Sequence, residues 1–256
     1  AERERTEVVI VSNENYIVFQ PFLPEVISGT IEMLHCITPI RRIARRARLY
    51  TRRIEEIDTA RKTVRLAPDF LPKPVTLEYD ELVVCLGTRM KYALVPGMRE
   101  HSIPFKYLGD ALRLRNEAVR ALEEADIERD PVEKTKLLTF VVGGGGFSGV
   151  ECVAELNDFL TAAIKDYSNI RREEIRCVLL QSADRILPEL GESLALYAQN
   201  ILASRGVEIR LNTRLKAVSA DSAVIQEKNK NEPERIDART IVSTVPAAAH
   251  PLVKSL

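Results

Sequence analysis

The sequence predicts an α/β fold in which parallel strands alternate with helices. The apolar run 137–142 is short and contains several β-branched residues, as buried parallel strands do. Four glycines follow at 143–146, and apolar side chains then recur at helical spacing from Val150 to Ile164. Further strand-like and helix-like segments alternate along the rest of the chain. These observations favour doubly wound, Rossmann-like parallel sheets with ligand sites at the carboxyl ends of the strands.

The glycine-rich turn fits the dinucleotide-binding pattern G-x-G-x-x-G at Gly144, Gly146 and Gly149. The first glycine makes a tight turn, the second lets a pyrophosphate approach the backbone, and the third lets the helix pack closely on the strand. The pyrophosphate would meet free N–H groups at the positive end of the helix. Phe147 and Ser148, which lie between the second and third glycines, are also predicted to bind the cofactor.

Two alternatives remain open for this turn. A register that starts at Gly143 would leave the third glycine position to Ser148, and the later register is preferred because Gly149 then opens the helix. The turn could also be a glycine-rich loop without a ligand, although the strand before it and the helix after it argue against this interpretation.

The end of the next predicted strand, 175–180, influences which nucleotide is preferred. A carboxylate there would bind the ribose hydroxyls and repel a 2′-phosphate. The sequence has Gln181 instead, which can hydrogen-bond a ribose but carries no charge, and Arg185 lies four residues further on. NADH is therefore favoured over NADPH only slightly.

Length and composition exclude several classes of protein. The 256 residues suffice for two domains, and 45% hydrophobic with 29% charged residues is typical of a soluble globular protein. The formal net charge of zero gives no electrostatic case for a nucleic-acid partner. The four cysteines lack the close spacing of a zinc site or a redox pair, and no apolar run is long enough to span a membrane.

The first hundred residues are predicted to be mostly strands. A strand is expected at 7–11, and Pro21 and Pro24 are expected to keep the apolar segment 16–25 extended. Segments 48–66 and 76–79 are expected to form a hairpin or meander. A buried strand is expected at 82–88.

A basic helix is expected to begin after Thr38 and Pro39. It and the residues after it carry several arginines: Arg41, Arg42, Arg45, Arg46 and Arg48. They could form a patch for anionic lipid or nucleic acid, or simply a solvated helix face. The absence of aromatic residues between them favours the solvated face.

The rest of the chain is predicted to alternate helices and strands. One helix is expected from Asp110, as its N-cap, to about Ala125, followed by a charged loop at 128–136. Another is expected to be capped by Ser193 and to end at Gly206. Its predicted buried face consists of Leu194, Tyr197, Ala198, Ile201 and Leu202. Strands are predicted at 207–211, 215–220, 223–227 and 240–245.

Several motifs carry a family resemblance. They are YDELVVCLGTRMKYALVPG at 79–97, PFKYLGDALRLRN at 104–116, the glycine turn through Glu151, DRILPE at 184–189 and RGVE at 205–208. Together they resemble the two-dinucleotide-binding flavoproteins and, more narrowly, the type II NADH dehydrogenases, which are single-subunit NADH:quinone oxidoreductases. The similarity covers nearly the whole chain.

The resemblance implies an enzyme in which NADH reduces FAD and the electrons pass to a quinone. Flavin and nicotinamide would carry the hydride chemistry, while the protein supplies position and electrostatics. In the resembling family a glutamate at the position of Glu151 faces the nicotinamide–flavin contact, so Glu151 is the expected catalytic residue. The alternative is a carboxylate that only interacts with the helix dipole.

The resemblance also implies a set of flavin-side residues. Ser12 stands where the family usually has the acid that binds the flavin ribose. Pro39 lies where the family's chain passes near the flavin. A further four residues would approach the flavin by backbone: Cys85, Leu86, Gly87 and Thr88. Cys85 is expected to be a small core residue and not a redox thiol.

The sequence departs from the family at several places. The family's first G-x-G-x-x-G, its late Gly-Asp motif and its membrane-binding region find no match here, and 244–246 replaces an Ala-Thr-Gly-like turn. The resemblance therefore implies an internal fragment. An incomplete FAD-binding-type domain is expected at 1–104, followed by an NAD(P)H-binding domain at 105–256.

Three alternatives to the quinone reductase remain open. The chain could be a non-catalytic NAD(P)-binding module, a truncated flavoprotein without FAD, or a related flavin-dependent reductase with a protein acceptor. A thiol–disulfide reductase is disfavoured because paired cysteines are missing. The resemblance implies a cytoplasmic enzyme at the inner face of a membrane, held there only through segments outside this sequence, and a homodimer, with no nucleic-acid partner.

Overall fold

The computed structural model describes residues 6–244, 247–254 and 256. The chain divides into two compact units. The first contains, of the described residues, 6–19, 34–89 and those from 247 onward, and the second contains 20–33 and 90–244. This division differs from the predicted boundary between 104 and 105, because residues 20–33 and 90–104 belong to the second unit.

Short strands and helices alternate along the described residues. The strands are β1 (Val9–Ser12), β2 (Tyr16–Val18), β3 (Ile37–Pro39), β4 (Arg48–Thr51), β5 (Ile54–Asp58), β6 (Thr63–Leu66), β7 (Val75–Glu78), β8 (Thr88–Met90), β9 (Ile103–Pro104), β10 (Thr139–Gly143), β11 (Arg176–Leu180), β12 (Val207–Arg210), β13 (Thr213–Val218), β14 (Ser222–Glu227), β15 (Glu234–Asp237), β16 (Thr240–Ser243) and β17 (Ala247–Ala249). The α-helices are α1 (Leu23–Ser28), α2 (Ile40–Ile43), α3 (Met98–His101), α4 (Leu108–Ile127), α5 (Pro131–Leu137), α6 (Phe147–Ala163), α7 (Glu192–Ser204) and α8 (Pro251–Lys254).

The first unit is built from small sheets. β1 and β4 pair in parallel, and β2 and β3 pair antiparallel. β5, β6 and β7 form an antiparallel meander, which confirms that prediction. Val64 and Leu66 of β6 are buried and form the centre of the meander.

The second unit contains a five-stranded, all-parallel sheet in the order β12-β11-β10-β16-β9. α6 connects β10 to β11, and α7 connects β11 to β12. An antiparallel meander, β13-β14-β15, lies between β12 and β16 in the chain. The predicted Rossmann-like α/β fold with a parallel sheet is confirmed.

The core of the second unit fills both faces of this sheet. On one face Val141, Val178 and Ile241 pack with Ile225 and Ile236 of the meander. Because side chains alternate along a strand, the neighbouring residues of β10 and β11 point to the opposite face. α6 packs against both of these strands. The strand that ends in the glycine turn is therefore buried from both sides.

Two predictions in the first hundred residues are wrong. The segment 16–25 is not extended, because residues 20–22 form a 3₁₀ turn and α1 follows. Pro24 lies in the first turn of α1, where no backbone N–H is needed for a helical hydrogen bond, so proline starts this helix instead of preventing it. The expected basic helix is only four residues long in the structure, where it is α2. The arginines on and after it are exposed.

The predicted buried strand at 82–88 is also wrong. Residues 82–87 pair with no strand within the described chain, and Val83 is 83% exposed. An apolar run becomes a buried strand only where neighbouring strands complete its ladder. In the described part of the first unit, β1 and β4 pair only with each other, so their ladder does not extend to this segment.

The helices of the second unit differ in detail from the predictions. Asp110 is the third residue of α4, not its N-cap, and its Oδ2 accepts hydrogen bonds from the amides of Lys106 and Tyr107. The expected loop at 128–136 contains α5, which Asp130 caps. Gly191, not Ser193, is the N-cap of α7. Three residues of its predicted buried face are exposed: Leu194, Tyr197 and Ile201.

Candidate nucleotide-binding site

The glycine turn between β10 and α6 has backbone geometry that only glycine supports. Gly144 has a φ of +118°, a region that L side chains rarely adopt. A Cβ on Gly149 would overlap the carbonyl oxygen of Gly144. The helix therefore crosses the turn so closely that no side chain fits between them. Both constrained glycines, Gly144 and Gly149, belong to the register that starts at Gly144. α6 begins at Phe147, so Gly149 lies within its first turn and does not open it.

Gly146 differs from its neighbours because space is open beside it. It is the N-cap of α6, and a Cβ there would meet only Glu189 Oε1, at 3.8 Å. Within the described residues, the amides of Phe147 and Ser148 donate to no backbone or side-chain acceptor. An open surface beside free N–H donors at the positive end of a 17-residue helix fits a phosphate group.

The turn is held in place by its neighbours on both sides. The Leu187 amide donates to the Gly145 carbonyl over 2.7 Å, with Leu187 at a φ of +48°. On the other side both the amide and the Oγ1 of Thr244 donate to the Gly143 carbonyl, at 3.1 and 2.9 Å. These bonds pre-organise the turn, so a ligand need not order it.

Gln181 lies at the end of β11, as expected, but its side chain is turned into the protein. Its Oε1 accepts from the amides of Gly145 and Ser182, at 3.4 and 3.0 Å, and its Nε2 donates to the Arg185 carbonyl over 3.0 Å. Only 8% of the residue is exposed. The side chain that was predicted to bind ribose thus also holds the glycine turn to the 181–185 turn.

Two charged residues of the DRILPE motif, Arg185 and Glu189, lie near this turn. Arg185 donates to the Pro188 carbonyl over 3.2 Å, within the DRILPE motif. Glu189 of the same motif is exposed, and its carboxylate is the group nearest to the open side of Gly146. A carboxylate, absent from the end of β11, is therefore present on the neighbouring loop.

Glu151 is the fifth residue of α6, not part of its first turn. Its interaction with the helix dipole is correspondingly weak, because that field falls off within the first turn. Burial, and then the nearby charge of Glu25, raise the pKa of Glu151 above its ordinary value. Perturbed carboxyl groups beside a candidate ligand site are typical of functional residues.

The predicted flavin-side residues all lie in the first unit. Ser12 ends β1, and its Oγ accepts from the Glu14 amide at 3.3 Å. Pro39 ends β3 and precedes α2. The backbone of 85–87 is not part of a sheet, and Thr88 begins β8. Cys85 is exposed, so the expectation of a core residue is wrong.

The cysteines are single thiols that form no disulfide in the described part of the chain. The four thiols are free, and Cys36, Cys152 and Cys177 are buried. Burial raises the pKa of Cys177 to about 12, and it raises the pKa of Cys152 as well. These two thiols are therefore not thiolates at neutral pH. No group of metal-ligating side chains was found in the described ranges.

Three residues near the site escaped sequence reasoning: Glu25, Glu189 and Thr244. Glu25 was not predicted because the prolines around it suggested an extended segment. Glu189 was not predicted because a carboxylate was expected only at the strand end. Thr244 was noted only as a departure from a family motif. The local signal for α1 was Pro24, because proline is common in the first turn of a helix.

Comparison with known proteins places the chain in a family. A family described as pyridine nucleotide-disulphide oxidoreductase matches residues 1–250. The chain therefore belongs to the pyridine nucleotide-disulphide oxidoreductase family.

Its relatives are NADH dehydrogenases. The chain is 30% identical to the mitochondrial external alternative NAD(P)H-ubiquinone oxidoreductase B2 of Arabidopsis thaliana, over 97% of this chain and 44% of that protein. It is also 30% identical to the type II NADH:quinone oxidoreductase NdhA of Mycobacterium tuberculosis, over 100% of this chain and 54% of the relative. The resemblance to type II NADH dehydrogenases is confirmed, and the chain spans about half the length of these relatives.

A solved structure shows the same fold. The NDH2 of Plasmodium falciparum in complex with NADH matches with a TM-score of 0.92 at 24% identity, over 99% of this chain and 53% of that one. As for membrane crossing, no helix among the described residues is both long enough and apolar enough.

Proposed function

We propose that this chain is the NADH-binding part, with a portion of the flavin-binding part, of a single-subunit NADH:quinone oxidoreductase. The observation that carries this proposal is the pre-organised glycine turn with free amides beside Gly146, in a chain whose relatives are NADH dehydrogenases. The NADH pyrophosphate would bind across Gly144, Gly146 and Gly149, on the amides of Phe147 and Ser148. Gln181 and Arg185 lie at the ribose end of the same site.

Glu151 is the proposed catalytic residue. Its raised pKa favours the protonated form of the carboxyl group, and the family resemblance supports a position for Glu151 at the nicotinamide–flavin contact. FAD is the proposed flavin, and it would accept the hydride from NADH when bound. The full-length protein would pass the electrons to a quinone.

The first unit supplies the proposed flavin contacts. Gly87 has a φ of +64°, and no atom lies within 4 Å of the place where its Cβ would be, so the backbone there is open to a ligand. Ser12, Pro39, Cys85, Leu86 and Thr88 are proposed to line the same flavin region. Residues 1–104 and 105–256 remain the proposed functional domains.

The location and assembly of the full-length protein are proposed from the family resemblance. We propose that it is cytoplasmic, that it binds peripherally at the inner face of a membrane through segments outside this sequence, and that it forms a homodimer. Vesicle co-sedimentation and light scattering of the full-length protein test these proposals.

The decisive experiment compares Gly146→Val with Gly109→Val in titration calorimetry with NADH. Both positions have room for a side chain, since nothing lies within 4 Å of a Cβ on Gly109. Only the Gly146 variant should block the pyrophosphate, lowering NADH affinity by about tenfold or more, equivalent to about 1.4 kcal/mol. Unchanged affinity in a folded Gly146→Val protein would show that the site lies elsewhere.

A further inference from the structure

The loop that follows β11, residues 181–190, forms a fixed wall beside the glycine turn. The Leu187 amide donates to the Gly145 carbonyl over 2.7 Å, and the Leu190 amide donates to the Leu187 carbonyl over 2.9 Å. Leu187 itself is buried. The backbone on both sides of Glu189 is therefore held against the turn, so the Glu189 side chain starts from a defined place.

Glu189 places its carboxylate beside the open side of Gly146. Its Oε1 is the nearest heavy atom to the place where a Cβ on Gly146 would be, at 3.8 Å. Glu189 is exposed, and among the described residues its carboxylate accepts no hydrogen bond and pairs with no cation. The negative charge of this carboxylate is therefore free to act on a ligand that binds beside Gly146.

The open side of Gly146 is otherwise suited to an anion. The free amides of Phe147 and Ser148 lie there, at the positive end of α6. A phosphate group bound to these amides would lie close to the Glu189 carboxylate, and two negative groups at short distance repel each other. Glu189 therefore opposes the binding of anions at this site, and its effect grows with the negative charge of the ligand.

The other polar and charged side chains of the loop have different roles. Gln181 is uncharged, and its amide donates to the Arg185 carbonyl over 3.0 Å. Arg185 donates to the Pro188 carbonyl over 3.2 Å, so the guanidinium group lies on the loop, where it can attract an added phosphate. Asp184 is exposed and directly precedes this cation in the chain. Glu189 is the carboxylate of the loop that borders the glycine turn.

We propose that Glu189 selects nucleotides by charge and is a specificity-determining residue of this site. It supplies from the loop the negative group that the end of β11 lacks. NADPH carries one phosphate group more than NADH, on the adenosine ribose, so Glu189 repels NADPH more strongly than NADH. This inference rests on the proposed function, in which the NADH pyrophosphate binds across the glycine turn.

The test compares Glu189→Gln with the unchanged chain by titration calorimetry with NADH and NADPH at one low ionic strength. The substitution removes the charge and keeps the size of an exposed side chain, so the fold is retained. The ratio of the NADPH to the NADH dissociation constant should fall by about fivefold, because the repulsion of the added phosphate is lost. Higher salt should reduce this difference between the two proteins. A merely structural role would change both affinities by the same factor and leave the ratio unchanged.

Glu192→Gln is the matched control. Glu192 is the next glutamate along the chain, and it is exposed in the first turn of α7. Both variants have the same net charge, so the control corrects for the overall charge of the protein. Selection by Glu189 is supported if only Glu189→Gln lowers the ratio, and it is overturned if the two variants give the same ratio.

The failure of this inference can be distinguished from the failure of the proposed function. If NADH binds but Glu189→Gln leaves the ratio unchanged, selection by charge fails and the proposed function stands. If neither nucleotide binds, the proposed function fails, and a titration with inorganic pyrophosphate decides the inference. Glu189→Gln must then bind pyrophosphate more tightly than the unchanged chain does, and equal or undetectable binding overturns selection by charge.

Discussion

The glycine turn of the second unit follows a buried strand in a complete sheet, whereas the segment 82–87 of the first unit has no strand partner in the described chain. β10 lies between β11 and β16, and its five residues are fully enclosed before the turn begins. Residues 82–87 pair with no strand in the described chain and alternate between half-buried and exposed. A ligand-binding backbone is rigid where a complete sheet and a helix fix both of its ends, so the two regions should respond differently to the same kind of change.

The largest effect is expected for Gly149→Ala, which should destabilise the second unit. The new Cβ would overlap the Gly144 carbonyl oxygen, which is backbone and cannot move away easily. We expect a loss of more than about 3 kcal/mol in the free energy of unfolding, measured by urea denaturation.

Gly87→Ala is the matched change in the first unit. No atom lies within 4 Å of its Cβ, although its φ of +64° carries a strain of about 1 kcal/mol. If Gly149→Ala unfolds at the same urea concentration as Gly87→Ala, the close crossing of turn and helix is not what fixes the nucleotide site.

The next effect concerns the two nucleotides. The helices described in the first unit, α2 and α8, are four residues long, so this unit offers no helix comparable to α6 for the pyrophosphate of FAD. This chain should therefore bind FAD at least about 30-fold more weakly than NADH, a difference of roughly 2 kcal/mol. Equilibrium dialysis of both compounds measures it, and tight stoichiometric retention of FAD would contradict it.

The contrast between the units also explains how far the sequence could predict this protein. β10, the glycine turn, α6 and β11 are consecutive, so the residues that form them make one continuous pattern in the sequence. The buried face of α4 was likewise predictable from its helical spacing, and Leu114, Ala118 and Leu122 are fully buried. Local patterns predict structures whose contacts are local or repeat with a fixed period.

The failures share a different cause, since they depend on partners distant in sequence. Whether 82–88 becomes a strand depends on its neighbours in the sheet, and α1 is stabilised by packing on α4 and α6, more than 80 residues away. The role of Gln181 in holding Gly145 likewise depends on a rotamer, which the sequence does not reveal.

A smaller effect is expected for nucleotide preference in Gln181→Glu. A carboxylate could still accept from the amides of Gly145 and Ser182, but it could not donate to the Arg185 carbonyl. The added charge should favour NADH over NADPH by about tenfold, or about 1.4 kcal/mol, since it repels a 2′-phosphate. The ratio of dissociation constants for the two nucleotides is the measurement, made at fixed ionic strength because the phosphate charge is screened.

Glu189→Gln separates two sources of discrimination. Its carboxylate is the group nearest to the open side of Gly146, so removing the charge should change the ratio in the opposite direction. An unchanged ratio in Gln181→Glu would mean that the end of β11 does not contact the ribose.

The smallest effect is expected at the β12 edge of the parallel sheet. Glu208 on β12 accepts from Arg176 Nε over 2.8 Å and from Arg210 Nε over 2.5 Å. Burial acts to raise the pKa of Glu208, but the hydrogen bonds from the two arginines outweigh it and hold that pKa below the ordinary value. Because the folded pKa is lower than the unfolded one, Glu208 stabilises the fold above the unfolded pKa, and this contribution is lost as the pH falls through the folded pKa.

Glu208→Gln should therefore lower the free energy of unfolding by about 1 kcal/mol at pH 7, and this loss should become smaller at acidic pH. The control is Glu227→Gln, which breaks an exposed pair with Lys230 and should change stability by less than about 0.5 kcal/mol. A loss for Glu208→Gln that stays constant from pH 7 to pH 3 would show that these ion pairs do not stabilise the sheet edge.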